Sequence, residues 1–106
     1  MNLLVDDELP TALRVSTTKE LLSRYAAGDR DFPGSKLSGA ELSGFNLSGV
    51  DLSRVLLDDA YLTGSCLVGS DLSWSFLSHA KLESVDLSHA NLSLAIINGA
   101  NLRKAN

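Results

Sequence analysis

Two histidines, His79 and His89, stand ten residues apart in "LSHAKLESVDLSHA" and come nearest to a metal pair. A zinc site needs three or four His, Cys or carboxylate ligands converging on one point. The only thiol that could join them is Cys66. Alone, Cys66 would be a nucleophile or redox group only if positive neighbours favoured its thiolate. Serines such as Ser38, Ser43 and Ser48 recur along the chain, and each would need an adjacent base and an orienting acid to act as a nucleophile. Asp51 and Asp71, followed by Asn91 at the same spacing of twenty, could present a row of negative charge. The glycines of "SGAELSG" lack the strand-to-helix transition of a phosphate loop. Whether any of these groups meet depends on the elements that carry them.

Those elements have a period of five, which belongs to neither a helix nor a strand. In "SGAELSGFNLSGVDLS" leucine returns at 42, 47 and 52, and it holds every fifth position from Leu37 to Leu102, with Ile97 the one substitute. Phe32 fits the frame one step earlier. Two residues before each of these centres the side chain is small or β-branched, as in Ser35, Ala40, Val50, Val55 and Ala60. Phe45 departs from that rule and is expected to swell the core locally. Two inward positions in five leave one short extended side and one bend, and Ser, Gly, Asp and Asn crowd the bend. The inward leucines then stack into columns, so the core is continuous although no single repeat is stable alone. Ser65, Ser70 and Ser75 fall on inward positions and are expected to bond nearby carbonyls.

The bulk composition agrees with a stack. A chain of 106 residues with six aromatics would build only a thin conventional core. The net charge of −4 argues against nucleic-acid backbones and anionic membranes as direct partners. No apolar run approaches the roughly 20 residues of a membrane span. The start "MNLLVDDELP" lacks a basic region and signal-like apolar core, so a cytoplasmic location is expected.

Ahead of the repeats, residues 1–16 read as an irregular N-terminal extension. Residues 17–28 read as a short capping helix, "TTKELLSRYAAGD". Thr17 with Glu20 forms a capping box, Gly28 suits the left-handed position after the end, and Leu21, Leu22, Tyr25 and Ala26 make one apolar face. Repeats occupy 29–106.

Centre leucine, Ala or Ser two before it and frequent Asp or Asn one before it ("VDLSR", "SDLSW", "VDLSH", "ANLSL", "ANLRK") resemble the pentapeptide-repeat family over residues 30–106. The lead-in "ELLSRYAAGDRDF" resembles the cap that precedes such repeats in cyanobacterial members, so a bacterial source is expected. The resemblance implies an all-β solenoid: a right-handed quadrilateral β-helix with four repeats, hence twenty residues, per coil. This chain would make about three and a half coils behind its short capping helix.

With twenty residues per coil, the chemical candidates separate. His79 and His89 fall on opposite sides of the column and cannot share a metal, and His79 stacks over Asp59. Cys66 points outward between Asn46 and Asp86, where acid disfavours a thiolate. Asp51, Asp71 and Asn91 form a solvated column. Some relatives use longer acidic columns to imitate DNA and bind type II topoisomerases. Here five cations against seven acids from residue 35 onward net only −2, over about 17 Å of column. No cofactor, metal or catalytic group is expected, and an enzyme is not.

One feature does read as a site. Leu56, Phe76 and Ile96 share an outward column with Lys36, beside a corner column of Arg54, Trp74 and Leu94. Leu56, Trp74, Phe76, Leu94 and Ile96 therefore form one outward apolar patch, with Arg54 near the Trp74 ring. Such patches mark interfaces, although residues 1–16 are an alternative cover. The last coil, at Leu102, Ala105 and Asn106, is a second contact surface, since an open β-helix end exposes unpaired backbone groups. The reading is a non-catalytic protein-interaction or scaffold module, self-associating through the C-terminal end or the Trp74 patch. Its alternative is an acidic DNA-mimic regulator of a DNA-handling enzyme.

Overall fold

A leucine at every fifth position must be buried at every fifth position, and the computed structural model, described over residues 14–106, does this by bending the chain after each one. At every centre but Leu47 the carbonyl accepts from the amide three residues on, as in Ala40 N to Leu37 O and Ala80 N to Leu77 O, both 3.0 Å. The second residue of each bend has positive φ, for example +72° at Gly39 and +61° at His79. That is the sign pattern of a type II turn. Between bends, three residues run extended, with the centre and the residue two before it facing in.

Successive circuits pair in parallel at a spacing of twenty. Asp31 bridges Asp51, Asp51 bridges Asp71, and Asp71 bridges Asn91; the other three sides do the same from Lys36, Glu41 and Asn46. The amide of Leu37 donates to Leu56 O (2.8 Å), and Leu56 N returns a bond to Ser35 O (2.9 Å). Backbone groups of one circuit are thus satisfied by the next, which is why the core needs no long strand.

The two inward positions hold the core. Leu37 to Leu82 are at most 2% exposed at every centre, as are Val50, Val55, Ala60, Ala80 and Val85. Each buried leucine contributes about 1.5–3 kcal/mol relative to exposure. Ser65, Ser70 and Ser75 are buried as expected, but their hydroxyls have no hydrogen-bond partner, contrary to the expected carbonyl bonds. The carbonyls three residues before them accept the turn amides of Ser65, Ser70 and Ser75 at 3.0, 3.1 and 3.2 Å. The Ser35 amide stands further from Phe32 O, at 3.4 Å, and leaves it to the hydroxyl. Ser35, at the end of the stack, does bond: it accepts from Val15 N (2.9 Å) and donates to Phe32 O (2.8 Å). Phe45 does not swell the core. It is 40% exposed at the N-terminal rim of its column, where no circuit lies beneath it.

The N-terminal end is closed in two ways. Val15 stands twenty residues before Ser35 and takes the place of one more rung, with Lys36 N donating to its carbonyl (3.0 Å). Helix α1, Thr18–Ala26, then lies over the first circuit. Thr17 Oγ1 accepts from Glu20 N (3.1 Å), and Glu20 Oε1 accepts from Ser16 N (3.1 Å), so the box closes one residue early. Gly28 has φ +104°. Leu21 is fully buried, and Leu22 and Tyr25 pack on the core. Ala26 is exposed, a correction to the expected face, because it lies about 140° around the helix from Leu21. The Tyr25 hydroxyl donates to Ser48 O (2.8 Å) and pins the helix to the stack.

Candidate functional site

The site is a flat side of the column and the corner before it. Parallel bridges align Lys36, Leu56, Phe76 and Ile96 one above another. Since side chains in the bridging position alternate with the inward ones, this column faces out. Phe76 is 42% and Ile96 41% exposed, and Leu56 is half-buried. The adjoining corner carries Gly34, Arg54, Trp74 and Leu94 at equivalent positions of four circuits, with Trp74 53% and Leu94 65% exposed. The Arg54 guanidinium lies 5.9 Å from the Trp74 ring centroid, a cation–π contact worth about 0.5–1 kcal/mol at an exposed position. Val15 and Ser16 continue this side at its N-terminal end, one rung before Ser35 and Lys36, and stop short of the Phe76 and Ile96 rungs. The expectation that the extension covers the patch otherwise concerns residues 1–13, which lie outside the described residues.

The corner has a property the five-residue pattern does not show by itself. Gly34, Arg54, Trp74 and Leu94 all hold left-handed backbone, with φ of +72°, +59°, +62° and +60°. Glycine adopts it freely, and Asp59, His79 and His89 at other corners belong to types that tolerate it. For a bulky apolar residue it costs roughly 1–2 kcal/mol. Frequent glycine two after the centre was the available signal.

The remaining candidates stay apart or turn structural. Among the described residues no group of three or more His, Cys, Asp or Glu is placed to hold a metal. The His79 ring lies in the space that a Cβ at Gly99 would take, and no ion pair joins it to Asp59. Cys66 sits half-buried between Asn46 and Asp86.

The acidic column is not simply solvated. Asp71 Oδ1 accepts from Ser73 N (3.0 Å) and Ser73 Oγ (2.7 Å), and Asp51 does the same with Ser53. These side chains clip the following bend as Asx turns. Ser88 holds the carboxyl of Asp86 below its ordinary range, through its hydroxyl first and its amide second. The amide of Ser43, then its side chain, does so for Glu41. A further surface contact sets Lys81 Nζ 4.8 Å from the centroid of the Tyr61 ring.

At the C-terminal end, Ile97 and Leu102 are 42% and 40% exposed. Among the described residues, the amides of Leu92, Ile97 and Leu102 have no backbone acceptor. Ala105 is half-buried. Asn106 completes its circuit, accepting from Leu87 N (2.8 Å), donating to Val85 O (2.9 Å) and reaching Ser88 Oγ (3.0 Å).

Comparisons with known proteins agree with this architecture. The family model described as pentapeptide repeats matches residues 35–73 and 77–106. A pentapeptide repeat protein from Nostoc is 40% identical, with TM-score 0.82, over 86% of this chain and 75% of its own. One from the Arabidopsis thaliana thylakoid lumen is 30% identical, with TM-score 0.68, over 69% of this chain and 50% of its own. HetL, involved in heterocyst differentiation regulation in Nostoc, is 35% identical, with TM-score 0.53, over 84% of this chain and 40% of its own. A search of curated proteins gives no significant match. With nearly two thirds of its length matched by the family model and a fold shared with these relatives, the chain belongs to the pentapeptide repeat family.

Proposed function

We propose that the chain is a right-handed quadrilateral β-helix of about three and a half coils, at ~4.8 Å per coil, acting as a non-catalytic protein-interaction or scaffold module in the cytoplasm. The observation that carries this reading is the outward patch of Leu56, Trp74, Phe76, Leu94 and Ile96. The interior is completed by other residues, so the patch serves contact. Its apolar character favours a protein surface as partner over nucleic acid, and the net charge of −4 disfavours an anionic membrane.

The competing role, an acidic mimic of DNA acting on a type II topoisomerase, has less support. The carboxylates of Asp51, Asp71 and Asp86 are turned back onto their own bends.

Capture from a native lysate tests the choice. A partner retained by the wild type and by Asp51→Asn/Asp71→Asn, but lost with Trp74→Ser/Phe76→Ser, supports the interaction module. Capture of a topoisomerase that depends on the aspartates and ignores the patch would overturn it.

A further inference from the structure

We propose that the occupant of the Trp74 face is a second copy of this chain, packed face to face and antiparallel about a two-fold axis across the column at Phe76. The inference rests on reading that face as an interface and names its partner.

The rungs of the face match themselves under that axis. Phe76 meets Phe76 of the second copy, Trp74 meets Trp74, and Ile96 meets Leu56, because bridged rungs twenty residues apart are evenly spaced above and below Phe76. Lys36, the charged residue of this column, is then set four rungs from the Lys36 of the second copy, at the opposite end of the contact. A parallel arrangement would instead set Lys36 against Lys36. Arg54 lies at the corner, where its stem covers the partner's Leu94 and its charge stays in water. Flat sheet faces pack well in this way, about 10 Å apart.

The area suits a weak dimer. At roughly 200 Å² for a whole large apolar side chain, the exposed fractions of Trp74, Phe76, Leu94 and Ile96 amount to about 400 Å² per copy. Two copies bury about 800 Å², and a modest polar rim brings the total to about 1,000 Å², the low end for a specific interface. Among the described residues, Trp74 and Leu94 are the two apolar side chains held in left-handed backbone, and both stand at this corner, an independent sign that more than folding acts on it.

Sedimentation velocity from low to high micromolar protein tests the proposal, with emission of the single tryptophan as a second readout. The expected result is a reversible monomer–dimer equilibrium with a blue shift as concentration rises. Phe76→Ser abolishes both and keeps the wild-type circular dichroism, whereas Leu102→Lys leaves both intact. Orientation is read in a Cys66→Ser background that keeps Phe76, with a short bis-maleimide: Ile96→Cys links to Leu56→Cys but not to itself. A monomer at every concentration, a dimer untouched by Phe76→Ser, loss of the dimer with Leu102→Lys, or self-linking of Ile96→Cys overturns the proposal. A monomer that still shows patch-dependent capture from lysate removes the second copy and leaves the interaction module standing.

Discussion

Two opposite corners of the column share one backbone and carry contrasting side chains. Gly44, Gly64, Ser84 and Lys104 follow one another at the first, and Gly34, Arg54, Trp74 and Leu94 at the second, all with φ between +58° and +76°. The glycines of the first corner take this conformation without strain. At the second, Leu94 is 65% exposed, so its burial returns about 1 kcal/mol at most, against a left-handed cost of about 1–2 kcal/mol. Folding gains little from leucine there. The comparison teaches that the backbone of this fold sets where a residue sits, while outward side chains can be given over to contact.

The largest effect belongs inside the corners, where no such freedom exists. Leu72→Asp places an unpaired carboxylate in a fully buried column and abolishes cooperative unfolding, since the insult rivals a margin of about 5–15 kcal/mol. Unchanged circular dichroism and melting would refute the five-residue register. One residue away, Asp71→Asn is nearly silent because an asparagine oxygen still accepts the bend amide, as Asn46 and Asn91 do. Asp71→Ala frees the Ser73 amide and hydroxyl and lowers stability by about 1 kcal/mol in urea unfolding.

The glycine corner gives the next effect. A Cβ at Gly64 meets nothing within 4 Å, so Gly64→Ala isolates the left-handed penalty, about 1 kcal/mol. A neutral result would remove strain from the contrast between corners. Smaller still, Ser70→Ala removes a buried hydroxyl without a partner and leaves stability equal or slightly raised. A clear loss would reveal a bond there.

Acid should weaken the stack gently. The folded carboxyls of Asp86 and Glu41 titrate below their ordinary values of 3.8 and 4.5. Their contribution is therefore complete above those values and lost as pH falls through the lower folded ones. Melting temperatures should decline below about pH 4, and Asp86→Asn should flatten the decline. An unchanged slope in that variant would remove Asp86 from the account.

The inward columns were legible because burial repeats where the leucines repeat. The patch was legible once circuits of twenty placed Trp74 beside Phe76. The rung at Val15 was present in the frame, twenty residues before Ser35, but a single rung carries no periodicity. Phe45 misled because the frame does not show which circuit is first. The serine hydroxyls misled because a polar atom at an inward position says nothing about competition for the carbonyl above it. The Asx clips were visible as Asp or Asn before the centre and Ser after it, a pattern equally compatible with a solvated ladder.

Urea unfolding of Leu94→Gly, at a concentration where the chain is monomeric, tests most directly whether the apolar corner is carried for contact and not for folding. Relief of the left-handed strain offsets the small burial lost, so the unfolding free energy stays within about 0.5 kcal/mol of wild type, while association through the Trp74 face weakens. A loss of about 2 kcal/mol or more, the scale of a truncated core leucine, would make Leu94 a folding residue and contradict the account.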